Sequence, residues 1–284
     1  MNLAVKYTNN RGQSIEFGGA DEALNLFEGK LRDSEWKYEA GSSYAAPYFY
    51  REPDEVTLKV GVAAATEEEG LAWRDRIADI AECDIADGKP GSVEVNGWRL
   101  GCYVVAREAD NWWMDGRFFE CEMTLLVPAR EWRRETVYHF EPGDGGGTGS
   151  MDFPFDFPFD FSVSDARSRT IDNGGISAAD IVLRFYGPCE NPSATVAGNE
   201  YGVKVSVPDG AYAEIDTEAM TAELVGKYGD RTNVFPERIP GGEGSGSYIF
   251  EKVPSGIQAV SSRGDVMFDV VLVEHRSEPE WRTR

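Results

Sequence analysis

Eight consecutive residues near the middle of the chain, Gly143-Asp144-Gly145-Gly146-Gly147-Thr148-Gly149-Ser150, constrain its folding more than any other stretch. They carry no side chain large enough to join a core, and their backbone loses more entropy on ordering than other sequences do. A chain interrupted in this way folds as two units, and 284 residues hold enough material for two cores of ordinary size. The expected layout is a domain over 1–140, a linker over 141–165 and a second domain over 166–284. Past the glycines, Phe153-Pro154-Phe155-Asp156 repeats as Phe157-Pro158-Phe159-Asp160 and closes on Phe161. Alternate prolines forbid a helix and favour extended backbone. Five phenylalanines so close together seek cover, on their own domain or as an arm on a neighbouring chain.

Residues 1–140 carry an α+β pattern. Leu3, Val5 and Tyr7 alternate with polar neighbours, Asn9-Asn10-Arg11-Gly12 makes a turn, and Ile15 and Phe17 alternate again, which predicts a hairpin. Val56 to Val62 reads as a strand. Thr66 with Glu69 three residues on is a capping-box signature, and Gly70, Trp73, Ile77, Ile80 and Ala81 share one face, predicting a helix of about four turns. Ser92 to Val95 and Trp98 to Val105 flank Asn96-Gly97, a strong hairpin signal, and Phe118 to Val127 adds a strand. Pro128 and Trp132 close the unit, with Tyr138 to Phe140 as a short edge strand.

Residues 166–284 are all-β by the same test. The predicted strands are Ile181 to Tyr186, Ser193 to Val196, Gly202 to Val207, Ala213 to Ile215, Ala222 to Val225, Ser247 to Phe250 and Val266 to Val273. Pro208-Asp209-Gly210, Gly241-Gly242, Pro254-Ser255-Gly256 and Arg263-Gly264-Asp265 punctuate them as turns. Many short strands at regular spacing predict a β-sandwich, so the fold class is mainly β with an α+β N-terminal domain.

Charge excludes one class of partner. Fifty acids against 28 bases give a formal net charge of −22, and residues 141–165 contain no base at all. A phosphate backbone is repelled by such a surface, and counterion release cannot supply affinity, so specific nucleic-acid binding is not expected. Cys83, Cys102, Cys121 and Cys189 lie far apart, without a CxxC pair, and read as core thiols from a reducing compartment. The N-terminus lacks a basic segment followed by an apolar run, and no stretch reaches the roughly 18 apolar residues of a membrane helix. A soluble protein made in a cytoplasm, with no membrane partner, is the expectation.

Catalytic signatures are missing. His139 and His275 are the two histidines, neither follows a nucleophile motif, and both read as surface or strand-end residues. There is no complete GxGxxG and no phosphate-binding GxxxxGK followed by Ser or Thr. Acid pairs suited to a glycosidase arise by chance among fifty acids. Asp152, Asp156 and Asp160 recur every four residues, whereas calcium loops alternate acids around a glycine turn. No catalytic residue, cofactor or metal is expected.

The C-terminal half carries a series of blocks: Phe185-Tyr186-Gly187-Pro188-Cys189 with Asn191-Pro192, then Tyr201, then Ala213-Glu214-Ile215-Asp216. Asn233-Val234-Phe235 follows, then Ile249-Phe250 leading to Val253-Pro254-Ser255-Gly256, the strand Phe268 to Val273, and Arg276-Ser277-Glu278-Pro279-Glu280-Trp281. In this order the blocks resemble the distal tail (Dit) proteins of long-tailed, siphovirus-type bacteriophages. The N-terminal half is similar more loosely, through the helix, Gly91 to Val95, the Trp98 strand and Thr124-Leu125-Leu126-Val127-Pro128 with Trp132.

The resemblance implies a homohexameric ring around a channel, with a ring-forming N-terminal domain stacked on the tail tube and a peripheral galectin-like β-sandwich. It implies a structural hub in the virion tail tip or baseplate, assembled in the bacterial cytoplasm, that passes DNA and contacts the tail tube protein, a tail-associated hub or fibre protein and receptor-binding proteins. Tyr186, Gly187, Pro188, Pro192, Tyr201, Ile215, Asp216, Asn233, Phe235, Pro254, Gly256, Pro279 and Trp281 are its structural motif. On the residues themselves, Ile215 reads as a core position and Asp216 as an acceptor for the turn that follows.

A galectin-like sandwich also raises a carbohydrate-binding accessory role at the host surface. Sugar sites need an aromatic platform with convergent polar groups. The galectin pairing of His-x-Asn-x-Arg with Trp-x-x-Glu-x-Arg is missing: His275 precedes Arg276-Ser277, and Trp132 with Glu135 is a partial match in the other domain. From the sequence, the C-terminal domain lacks such a set.

Overall fold

The computed structural model describes residues 5–18, 24–31, 33–41, 47–110, 116–141, 169–262 and 266–280. The glycine run, the Phe-Pro repeat, Asp152, Asp156, Asp160, the 263–265 turn and Trp281 lie outside those residues. The protein is mainly β, with antiparallel pairing throughout and one α-helix among the described residues. It divides into two compact units, Met1–Arg134 with His275–Arg284, and Glu135–Glu274. The division thus differs from a boundary near 140, and the C-terminal tail counts with the first unit. Polar contacts hold it there: the Glu280 carbonyl accepts from Asn96 Nδ2 at 2.8 Å, its carboxylate from Arg134 at 3.3 Å, and Ser277 Oγ from Arg51 at 2.8 Å. No apolar pattern announces such a tie.

The first unit contains β1 (Val5–Thr8), β2 (Ser14–Phe17), β3 (Leu24–Gly29), β4 (Lys37–Glu39), β5 (Tyr48–Tyr50), β6 (Asp54–Ala63), α1 (Glu67–Asp87), β7 (Gly91–Val95), β8 (Trp98–Asp110) and β9 (Phe118–Val127). The β1–β2 and β7–β8 hairpins stand where the turn signals put them, and Asn96 and Gly97 both have positive φ, as a tight hairpin turn requires. β8 serves two sheets. Trp98 to Cys102 pair with β7, and Tyr103 to Asp110 pair with β9, with a register shift between Val104 and Ala106. A bulge of this kind bends a strand, so one strand turns the corner between the order β2-β1-β7-β8 and the order β8-β9-β6-β3. Phe17, Val56, Leu58, Trp98, Leu100, Met123, Leu125 and Trp132 fill the core between them.

α1 begins as its cap predicts. Thr66 Oγ1 accepts from the Glu69 amide at 3.2 Å, and the Glu69 carboxylate accepts from the Ala65 amide at 3.0 Å. It then runs 21 residues, well past the apolar pattern that stops at Ala81, to Gly88 in the left-handed conformation. The extra turns are missed because Asp84, the most buried residue in them, is charged. Asp84 is fully buried; its carboxylate accepts from the Tyr7 hydroxyl and from the Asn10 amide at 2.7 Å. A Cβ at Gly91 would strike that carboxylate, so glycine admits it. Burial first, and then the bond to Asp84, push the Tyr7 phenol far above its ordinary range.

β10 (Trp132–Phe140) crosses the unit boundary, and it is a nine-residue strand rather than a short edge piece. The second unit then has β11 (Arg169–Asn173), β12 (Asp180–Tyr186), β13 (Cys189–Glu190), β14 (Ser193–Val196), β15 (Asn199–Gly202), β16 (Ser206–Val207), β17 (Tyr212–Asp216), β18 (Thr221–Val225), β19 (Arg231–Asn233), a 3-10 turn at Phe235–Glu237, β20 (Gly256–Ser262) and β21 (Phe268–Arg276). One sheet orders β19-β18-β17-β12-β21, and the other β11-β20-β14-β15. Ile181, Leu183, Phe185, Ile215, Phe268 and Val270 from the first share a core with Ile171, Val196, Tyr201 and Val260 from the second.

Two predicted strands differ. Gly202 to Val207 splits into β15 and β16, and Ser247 to Phe250 is a turn. Asn199 holds that turn in place of a strand partner, its Nδ2 donating to the Tyr248 carbonyl at 2.8 Å and its Oδ1 accepting from the Tyr248 amide at 3.1 Å.

The buried carboxylate sets a stability test. Tyr7→Phe leaves Asp84 short of a donor inside the protein, and an expected loss of about 1–3 kcal/mol follows in urea unfolding. Tyr103→Phe is the control, since its hydroxyl bonds to the Gly88 carbonyl at the surface; it should stay within about 0.5 kcal/mol of the parent. Equal stability of the two variants contradicts this role for Asp84.

Candidate functional site

The motif residues of the C-terminal half are scattered over the second unit and the tail. Gly187 follows β12 with a cis bond to Pro188, and a Cβ there would collide with the Pro208 carbonyl oxygen, so the position needs glycine. Pro192 is buried, and its carbonyl accepts from the Val203 amide at 3.2 Å. Tyr201 is buried with its hydroxyl donating to the Glu251 carbonyl at 2.8 Å. Ile215 points into the core, while Asp216 Oδ1 accepts from the amides of Glu218 and Ala219, both at 2.9 Å. Asn233 Oδ1 accepts from the Phe235 amide at 2.9 Å, and Phe235 stacks on Phe250 at 5.5 Å. Pro254 and Gly256 form an exposed turn into β20, and Pro279 is buried in the tail. These residues shape loops and core; among them only Tyr186 enters a polar cluster.

That cluster lies on the face of the β12 sheet opposite the core. Leu183 and Phe185 point inward, so Arg184 and Tyr186 point out. Register places Arg184 between Glu214 on β17 and Asp269 on β21, and Tyr186 opposite Tyr212. Arg184 Nε donates to Glu214 Oε2 at 2.8 Å; Arg231 donates to Glu214 Oε1 at 3.1 Å and to Glu223 Oε2 at 2.6 Å. The Tyr186 hydroxyl donates to Asp269 Oδ2 at 2.6 Å, and His139 Nδ1 lies 2.6 Å from Asp269 Oδ1. The Tyr186 and Tyr212 rings are 6.1 Å apart and tilted. Burial, then the bond to Asp269, push the Tyr186 phenol up to about 12.

Sequence reasoning missed this set because six strands contribute to it. His139 reads as a surface residue, and its side chain is 74% exposed, yet it also touches a carboxylate that is 9% exposed. Cross-strand register nevertheless gathers tyrosines, arginines and carboxylates on the outer face of this domain, a grouping the sequence alone does not show. The available signal was the alternation Leu183-Arg184-Phe185-Tyr186, which leaves an arginine and a tyrosine on an outer face.

Other clusters are structural. Arg130 is buried with its guanidinium on Asp54 and on the Lys30 carbonyl, and Asp180 accepts from Lys252 at 2.7 Å and from Thr217 at 3.1 Å. All four cysteines are free thiols; Cys83, Cys102 and Cys121 are buried and Cys189 is half-buried. Burial pushes the Cys102 thiol up to about 12, which keeps it protonated and unreactive. His275 Nδ1 lies 3.6 Å from Glu131. Among the described residues no three His, Cys, Asp or Glu side chains are grouped to hold a metal, and no helix is long and apolar enough to cross a membrane.

The whole chain is similar to solved phage tail structures. It superposes on the Dit protein of phage SPP1, described as a paradigm of the hub adsorption apparatus in phages infecting Gram-positive bacteria, with a TM-score of 0.52 over 96% of this chain and 99% of that one at 8% identity. A chain of the phage P2 baseplate in its activated conformation with Ca matches with a TM-score of 0.57 over 98% and 99% at 13% identity, and the form with Sr gives 0.55 over the same shares at the same identity. This chain has the Dit fold. No protein-family model and no curated protein matches the sequence, so the likeness is one of structure. Within the Dit fold, the order of motif blocks along the C-terminal half follows β12 to β21 and the tail.

The Tyr186–Asp269 bond gives a test with a defined sign. The neutral phenol is favoured in the folded protein, so its contribution is complete below pH 10, the ordinary value, and is lost as pH rises toward about 12. The stability difference between the parent and Tyr186→Phe should therefore shrink from pH 9 toward pH 11.5 in urea unfolding. A difference that stays constant, or grows, contradicts the bond.

Proposed function

We propose that the chain is a structural hub of a phage tail tip or baseplate, a homohexameric ring that joins the tail tube to the host-adsorption apparatus and lets DNA pass through its channel. The observation that carries this reading is the extent of the fold match, which takes in nearly the whole chain and nearly the whole of each hub or baseplate chain. In this reading the first unit forms the ring on the tail tube and the second is a peripheral galectin-like sandwich. The motif from Tyr186 to Trp281 supports its loops and tail, and 141–165 links the two parts. The partners are further copies of itself, the tail tube protein, a tail-associated hub or fibre protein and receptor-binding proteins. It works as structure and not as a catalyst, in a virion assembled in the bacterial cytoplasm.

The charge fits that role. An acidic channel wall would let genomic DNA slide without adhering, and a net charge of −22 per chain is compatible with such a wall. The same charge opposes ring closure at low salt. From about 0.01 M to 0.15 M salt the Debye length falls from roughly 30 Å to 8 Å, which shortens repulsion between neighbours and leaves apolar contacts intact. Light scattering of purified protein should show a mass of about six chains, a value drawn from a closed ring of one repeated interface, with the ring fraction rising across that salt range. Rings that dissociate as salt rises would mean that interfacial ion pairs outweigh repulsion, and a monomer at every salt concentration, alone and with its tail tube partner, contradicts the hub reading.

A further inference from the structure

The outer face of the second unit has no part in the hub reading, yet it gathers chemistry that a purely structural sheet does not need. Two half-buried tyrosines, Tyr186 and Tyr212, lie side by side as a cross-strand pair. Beside them two guanidiniums alternate with carboxylates in a row, Asp269, Arg184, Glu214 and Glu223, with Arg231 bridging the last two. Glu214, whose side chain is 11% exposed, is clamped from both sides, so the row is held in one geometry. Arg184 commits its Nε to Glu214, and His139 commits its Nδ1 to Asp269. The Nη groups of Arg184 and the Nε2 atom of His139 take no part in those two bonds.

We propose that this face, formed by Tyr186, Tyr212, Arg184, Glu214, Asp269 and His139, is a binding site for a neutral glycan. A sugar ring offers an apolar C–H face that packs on an aromatic ring and, at its rim, vicinal hydroxyls that both donate and accept. Fixed guanidinium donors next to fixed carboxylate acceptors match such pairs of hydroxyls, and rigid planar groups lose little entropy on engaging them. Charge selects against polyanionic surface polymers. The face sets three carboxylates against two guanidiniums, on a chain of net charge −22. A phosphate-rich polymer is repelled, while an uncharged one is not. The site rests on the geometry of the second unit, so it stands or fails independently of ring formation.

The full-length protein is tested against an array of neutral oligosaccharides, with poly(glycerol phosphate) as the anionic probe, by saturation-transfer NMR and calorimetry. Saturable binding of at least one neutral glycan is expected, with transfer weakened by about tenfold or more in Tyr212→Ala and in Arg184→Gln, while Tyr212→Phe retains the ring and the affinity. Thermal melting and ring mass are recorded on each variant; Tyr212→Ala, at a half-exposed position, carries the test if Arg184→Gln does not fold. Three results overturn the site: no saturable neutral glycan on the array, binding that persists unchanged in folded Tyr212→Ala, or binding of the anionic polymer alone.

Discussion

The double pairing of β12 is the constraint on which the second unit depends. Asp180 to Phe185 bond to β21 on one side, and Val182 to Tyr186 bond to β17 on the other. Side chains alternate with a period of two, so this register decides every neighbour at once. Ile181, Leu183 and Phe185 go to the core, where Phe185 meets Phe268 and Phe268 meets Phe140. Arg184 and Tyr186 go to the other face with Glu214, Tyr212 and Asp269. A slip of one residue would bury an arginine and expose a phenylalanine. The core and the polar face are therefore two consequences of one pairing, and the ion pairs of that face cost little to hold because the sheet already fixes their backbones.

The first unit depends on a different device. A 21-residue helix is joined to the β1–β2 hairpin by a fully buried carboxylate rather than by apolar contact alone. A buried acid without donors would be costly, so the Tyr7 hydroxyl and the Asn10 amide specify where the helix end sits. At the other end, Gly70 packs so closely on Gly116 that a side chain would overlap its carbonyl. Both ends of α1 are thus located by contacts with little tolerance.

Much of this was legible in the residues. Asn96-Gly97, the Thr66–Glu69 box and the alternation of Phe118 to Val127 each carry a local signal, and each element stands where that signal puts it. What escaped was long-range. The last turns of α1 are hidden because Asp84 breaks the apolar pattern while being the most buried residue there. β20 presents Val260 as its one buried side chain, too sparse a pattern to announce a strand. The return of the C-terminal tail to the first unit rests on the polar contacts of Glu280 and Ser277, neither of which belongs to a periodic pattern. The polar face needed six strands brought together, and its single local trace was Arg184 and Tyr186 between core residues.

Electron cryomicroscopy of intact virions that carry this chain tests the central claim most directly. A tail-tip reconstruction should contain a closed ring of this chain, about six copies around the axis if one repeated interface closes it, continuous with the lumen of the tail tube. A well-resolved tail tip in which no density fits the two units, with the chain missing from the purified particles by mass spectrometry, would contradict a structural role in the tail.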